Sequence, residues 1–187
     1  AAEVHEFLFP GHVGIGLVGL HRDGLRLIGT VDNLMALDRS EAQITEIPNN
    51  AFKNKSKINS VILPEGITRI GEYAFQGTNI RRVNIPSTVK TIARYSFCGT
   101  PLQFVTFAEN SQLETIERYA FQALSSLQSV DFGNMSNLKA IKYAAFADCP
   151  QLKEFIMPNS VTELGYYQFN NNTSMKKIHL SDGLSVV

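Results

Sequence analysis

Phenylalanine recurs through this chain at a nearly fixed interval, and no other feature constrains the fold so tightly. Phe52, Phe75, Phe97, Phe121, Phe146 and Phe169 are separated by 23, 22, 24, 25 and 23 residues. Five residues before each stands Ile or Leu (Ile47, Ile70, Ile92, Ile116, Ile141, Leu164), and three before that another aliphatic (Ile44, Ile67, Val89, Leu113, Leu138, Val161). After each Phe come three further apolar positions, spaced three and then two apart, as in Ile80, Val83 and Ile85 or Leu152, Phe155 and Met157. A period of this length is the signature of a solenoid. One repeat carries too little apolar surface to fold alone, whereas stacked repeats place each Phe and aliphatic over its counterpart and make a continuous core.

The repeat ends in a period-two alternation, which is a short strand with one buried face. Pro64, Pro86 and Pro158 close several of these strands, as expected of a residue that cannot donate to a ladder. Length varies only after Phe and in the link to the next coil, where "AENSQ" and "GNMSN" lengthen two links, so those are the loops. No long amphipathic helix can be written across a repeat without burying charge. The expected fold is therefore a β-rich solenoid with a short strand in each coil, little helix, and a column of Phe rings plugging the far side of each coil.

"AFADCPQLKEFIMP" and "LPEGITRIGEYAF" carry this unit in full, and "LMALDRSEAQITEIPNNAF" carries its opening, with Arg39 where Leu is usual. The unit resembles the BspA-like bacterial leucine-rich repeat over about residues 34–187. The resemblance implies a right-handed leucine-rich-repeat superhelix of about six complete coils plus partial ends. The resemblance further implies that the "VNIP" type strands form a parallel β-sheet on one face, with segments such as "ITRIGEYAF" lining the other as short extended or irregular structure. It also implies a protein of the cell surface or of secretions, acting in adhesion or host interaction.

Residues 1–33 differ in character. Six of the 13 glycines and three of the 4 histidines lie before residue 30. "GIGLVG" fits the dinucleotide-binding glycine pattern at Gly14, Gly16 and Gly19, but that pattern works only where a helix follows, and Gly24 and Gly29 interrupt any such helix. "GLVGL" and "LRLIG" joined through "HRDG" read instead as a β-hairpin with an Asp-Gly turn, covering the open end of the solenoid. His5, His12 and His21 are spaced too widely for a helix-borne metal site and read as surface. At the other end "LSVV" begins a seventh coil at Leu184, and an uncovered end there invites end-to-end association.

The 187 residues hold 17 basic and 17 acidic side chains, so no summed field favours nucleic acid or an anionic membrane. "VGIGLVGL" is too short to span a bilayer, and any membrane attachment would be peripheral, through an anchor outside this chain. Cys98 and Cys149 lie two coils apart, about 10 Å at one strand spacing per coil, which exceeds the reach of a disulfide. Both read as small buried side chains, and nothing in the chain calls for a metal or cofactor.

In a solenoid the core repeats by necessity, and information sits at positions the core leaves free. By alternation the outward strand residues are Ser60 and Ile62, Arg82 and Asn84, Phe104 and Thr106, Ser129 and Asp131, Glu154 and Ile156, Lys177 and His179, forming two ladders across one face. Aromatic and Arg anchors inside a polar rim are what protein interfaces use. These residues are therefore the candidate surface for a protein partner, either a host extracellular protein or another bacterial protein. Tyr73, Tyr95, Tyr119 and Tyr167 recur two residues before Phe and suggest an alternative, an aromatic ladder for carbohydrate, although packing of the turn explains them too. A purely architectural spacer is the remaining alternative. These residues do not combine into an enzyme: Asp131 and His179 share a ladder two coils apart, and no serine sits in a nucleophile elbow.

Overall fold

The computed structural model describes residues 45–186 and, before them, the backbone of three strands, β1 (Gly16–Leu20), β2 (Arg26–Thr30) and β3 (Leu34–Leu37). The three N-terminal histidines, Gly14, Ile44 and the Asp23-Gly24 turn lie outside the described residues. β1 and β2 pair antiparallel, with Val18 opposite Ile28, and β2 pairs antiparallel with β3. β3 then pairs in parallel with the first outward strand of the array, Leu34 opposite Ser60. The hairpin strands and the coils thus share one four-stranded sheet.

From there the chain winds as a parallel β-solenoid of about six turns, with no helix among the described residues. Each turn contributes two strands. The alternating segments form β5 (Ser60–Ile62), β7 (Arg82–Ile85), β9 (Phe104–Phe107), β11 (Ser129–Asp131), β13 (Glu154–Ile156) and β15 (Lys177–His179). The segments before Phe form two-residue strands: β4 (Glu46–Ile47), β6 (Arg69–Ile70), β8 (Thr91–Ile92), β10 (Thr115–Ile116), β12 (Ala140–Ile141), β14 (Glu163–Leu164) and β16 (Ser185–Val186). This second set makes one unbroken seven-stranded parallel sheet.

The core is the one the period dictates. Ile47, Ile70, Ile92, Ile116 and Ile141 are fully buried, as are Ile67, Val89, Leu113, Leu138 and Val161. Five Phe rings stack in a column, with centroids 5.1 Å (Phe52–Phe75), 5.2 Å (Phe75–Phe97), 5.3 Å (Phe97–Phe121) and 5.2 Å (Phe121–Phe146) apart. The sixth departs from the expected column: Phe169 meets Phe155 at 4.9 Å and 60°. Phe155 stands where the preceding strands carry Val, and its ring lies 5.0 Å from Phe146 as well as against Phe169. In the last coil the expected core residues Ile178 and Leu180 are exposed.

The turn around each Phe has a backbone reason for its shape. The residue two before Phe has positive φ in every coil, between 51° and 62°, at Asn50, Tyr73, Tyr95, Tyr119, Ala144 and Tyr167. The residue two after Phe does so as well, at Asn54, Gly77, Gly99, Ala123, Asp148 and Asn171. This alternation aims every second amide at the next coil. Tyr95 N donates to Arg118 O (3.3 Å), Phe97 N to Ala120 O (2.9 Å) and Gly99 N to Gln122 O (3.0 Å). Gly, Asn and Asp suit such a conformation, whereas a tyrosine there carries about 1–2 kcal/mol of strain.

The cysteines are both free. Cys149 is buried, its Sγ 3.3 Å from Phe121 O, and burial pushes its thiol up to about 12. Cys98 corrects the expectation of two buried thiols. It is only half-buried, yet desolvation still raises its pKa.

Candidate functional site

Alternation holds along the outward strands up to β13 and is lost in β15, where Ile178 is exposed between Lys177 and His179. Val83 and Ile85 are buried between exposed Arg82 and Asn84, and Phe155 between exposed Glu154 and Ile156. Ser129, Asp131, Thr106, Lys177 and His179 are exposed too, while Phe104 and Ser60 are half-buried.

Parallel register sets these residues beside one another. Arg82 stands opposite Phe104, which stands opposite Ser129; Asn84, Thr106 and Asp131 form the neighbouring row. The Arg82 guanidinium lies 4.8 Å from the centroid of the Phe104 ring, a cation–π contact that also shields the ring. Thr106 Oγ1 donates to Asn84 Oδ1 at 2.9 Å. Further along, Glu154 pairs with Lys177 at 3.0 Å, and His179 Nε2 lies 3.7 Å from the same carboxylate. Ile62 and Ile156 stand out of this polar frame at 53% and 57% exposure.

The two expected ladders are not continuous. β7, β9 and β11 form one sheet and β13 and β15 another, while β5 belongs with the N-terminal strands. Backbone pairing is therefore interrupted between β5 and β7 and between β11 and β13, while these strands still lie side by side. The second interruption falls where Phe155 replaces the valines of earlier strands, with its ring 5.4 Å from Phe132 and 5.0 Å from Phe146. Beside it opens a groove of about 720 Å³, lined among others by Asp131, Phe132, Ile156, Asn159 and His179. Asp131 does not orient His179 there. Its Oδ1 accepts the Gly133 amide at 2.9 Å, and the imidazole faces Glu154. Sequence reasoning missed the groove; its available signals were the eight-residue link after Val130 and the aromatic at 155.

The tyrosines stack more tightly than a row of separate platforms would. Tyr73, Tyr95 and Tyr119 lie face to face at 5.0 and 4.7 Å, within 13° of parallel. Lys53 covers the outer face of Tyr73 at 4.2 Å, and Arg94 donates to the Tyr73 hydroxyl at 3.2 Å. The column ends at coil five, where the position two before Phe is Ala144 and the ring comes from Tyr143 one residue earlier. Tyr143 meets Tyr119 at 70° and Tyr167 at 51°.

Residues 90–187, which hold the last four Phe repeats, match the family model described as BspA type leucine-rich repeat region (6 copies). The chain belongs to this family. No curated protein sequence matches it. Among solved structures, a leucine-rich cell surface protein from Faecalibacterium prausnitzii A2-165 is similar over 91% of this chain and 44% of its own, with 22% identity and a TM-score of 0.58. The T. pallidum leucine-rich repeat protein is similar over 88% of this chain and 68% of its own, at 22% identity and a TM-score of 0.56. The pneumococcal vaccine antigen PcpA follows at 20% identity and 0.52, over 91% of this chain and 51% of its own. The leucine-rich repeat chain thus spans less than half the length of the first of these.

Proposed function

We propose that this leucine-rich repeat chain is a non-enzymatic binding module, secreted or held at the cell surface, whose outward strand face docks a protein partner. One observation carries the reading. Arg82 over Phe104, with exposed Ile62 and Ile156 to either side, sets large anchors in a frame of Asn84, Thr106, Ser129, Asp131, Glu154, Lys177 and His179. Aromatic and Arg anchors ringed by polar groups are the composition of binding hot spots. The names of two similar structures, a cell surface protein and a vaccine antigen, support an extracellular or surface location and, with it, a host or neighbouring bacterial protein as partner.

Affinity capture from host extracellular matrix and from bacterial surface extracts tests the reading. The partner recovered is expected to bind at least about tenfold more weakly to Arg82→Ala/Phe104→Ala, a loss of about 1.4 kcal/mol or more. Undiminished binding by that variant would place the interface elsewhere.

A further inference from the structure

The tyrosine side holds a second candidate site, where the repeat breaks its own rule. In coils two to four the residue three before Phe is charged (Glu72, Arg94, Arg118) and the next is Tyr. In coils five and six the charged residue gives way to Tyr143 and Tyr166. A cavity of about 360 Å³ opens at that shift, lined by Tyr143, Tyr166, Glu117, Arg118, Lys142 and Glu163 over a floor at Gly165. A Cβ on Gly165 would collide with the backbone of Lys142 and Tyr143, so glycine lets the two coils approach there, as Gly71 does against the first coil. Gln168 replaces the Ala or Ser found elsewhere directly before Phe. It is buried, and its Nε2 donates to the Ile141 and Lys142 carbonyls, fastening one wall.

We infer that this cavity binds a neutral saccharide. The stacked rings of Tyr73, Tyr95 and Tyr119 cannot serve such a ligand, because each covers its neighbour's face. Tyr143 is stacked on neither of its neighbours, and Tyr166 is 59% exposed. An aromatic face carries negative charge density and attracts the polarised C–H groups of a pyranose ring. The polar lining holds two carboxylates and two cations, of which Lys142 and Glu163 already meet at 2.6 Å. Such a rim offers acceptors and donors without net charge, which suits hydroxyl groups and gives an anionic ligand no advantage. The volume lies within the range of about 300–1,000 Å³ usual for small-molecule sites. It suits one or two sugar rings, such as the end of a longer chain.

The test is an array of neutral hexose and N-acetylhexosamine oligosaccharides with their sialylated counterparts, followed by titration of the best-retained sugar. The 187-residue chain is expected to retain at least one neutral saccharide. Tyr166→Ala should weaken that binding about tenfold. Tyr166→Phe, which keeps the ring, should retain most of it, and Phe104→Ala on the strand face should leave it unchanged. Thermal melting of each variant separates lost binding from lost fold, and Tyr166→Phe keeps the test decisive if the alanine variant is unstable. Silence across the array, preference for the sialylated sugars, or binding indifferent to Tyr166→Ala would each overturn the inference. Capture of a protein through Tyr166 with no sugar retained would do so as well.

Discussion

The two strands of each coil behave differently. The two-residue strands, with nothing to offer beyond an Ile and its neighbour, pair without a gap from β4 to β16. The longer outward strands, which look more like a sheet in the sequence, fall into separate groups. The short strands are backed by the Phe column and by turns whose alternate amides reach the next coil. The outward strands are backed by a position that changes from Val to Phe and then to an exposed Ile178. The regular side thus holds the solenoid together and leaves the other free to vary, which suits a scaffold whose specificity lies in its variable positions.

The sharpest way to break this comparison is to remove one ring from the column. Phe97 is fully buried between Phe75 and Phe121, and Phe97→Ala is expected to destabilise the chain by about 3–5 kcal/mol in urea unfolding. Ile156→Ala on the outward face should change stability by no more than about 0.5 kcal/mol. Similar losses at the two positions would mean that the strand face carries as much of the fold as the turns do.

A smaller effect separates the ring from the backbone beneath it. Tyr95 has φ 57° and stacks on both neighbours. Alanine removes the stack and keeps the strain, while glycine removes both. Tyr95→Gly should therefore be more stable than Tyr95→Ala by about 1 kcal/mol, the reverse of the usual order. If alanine proves the better substitute, the tyrosines hold their turns by something other than stacking against a strained backbone.

Much of this architecture was legible in the sequence. The Phe period, the aliphatics five and eight residues before it, and the terminal alternation specify the solenoid, because each is a burial pattern that only stacked coils satisfy. The interruptions were not legible. The one between β11 and β13 falls at one oversized ring, Phe155, packed against Phe132, Phe146 and Phe169, which is a matter of three-dimensional volume. The positive φ before Phe was hidden because Tyr is not a residue that announces it. The shift of tyrosine from one position to the next at Tyr143 was visible as letters, but reading a cavity from it required knowing that Tyr73, Tyr95 and Tyr119 close on one another.

The least of these effects tests what replaces a ladder where one is missing. β5 and β7 make no strand pairing, yet Glu65, in the link after β5, spans the gap. Its Oε1 accepts the Ser87 amide at 3.0 Å, and its Oε2 accepts the Ser87 hydroxyl at 2.9 Å and the Thr88 amide at 3.3 Å. Slight burial pushes the Glu65 carboxyl up, but the hydrogen bonds from Ser87 and Thr88 outweigh it and leave the pKa lowered. A carboxylate whose pKa is lowered on folding stabilises the folded state above its ordinary value and loses that contribution as pH falls through the lowered one. The site is exposed, so the contribution is screened to a few tenths of a kcal/mol. Glu65→Gln should be less stable than the parent by about that much near neutrality, and the gap between them should close in acid as the parent's own carboxylate protonates. A gap that persists unchanged through acid would mean that Glu65 acts there by packing, and that the interruption between β5 and β7 is held by the coils on either side of it.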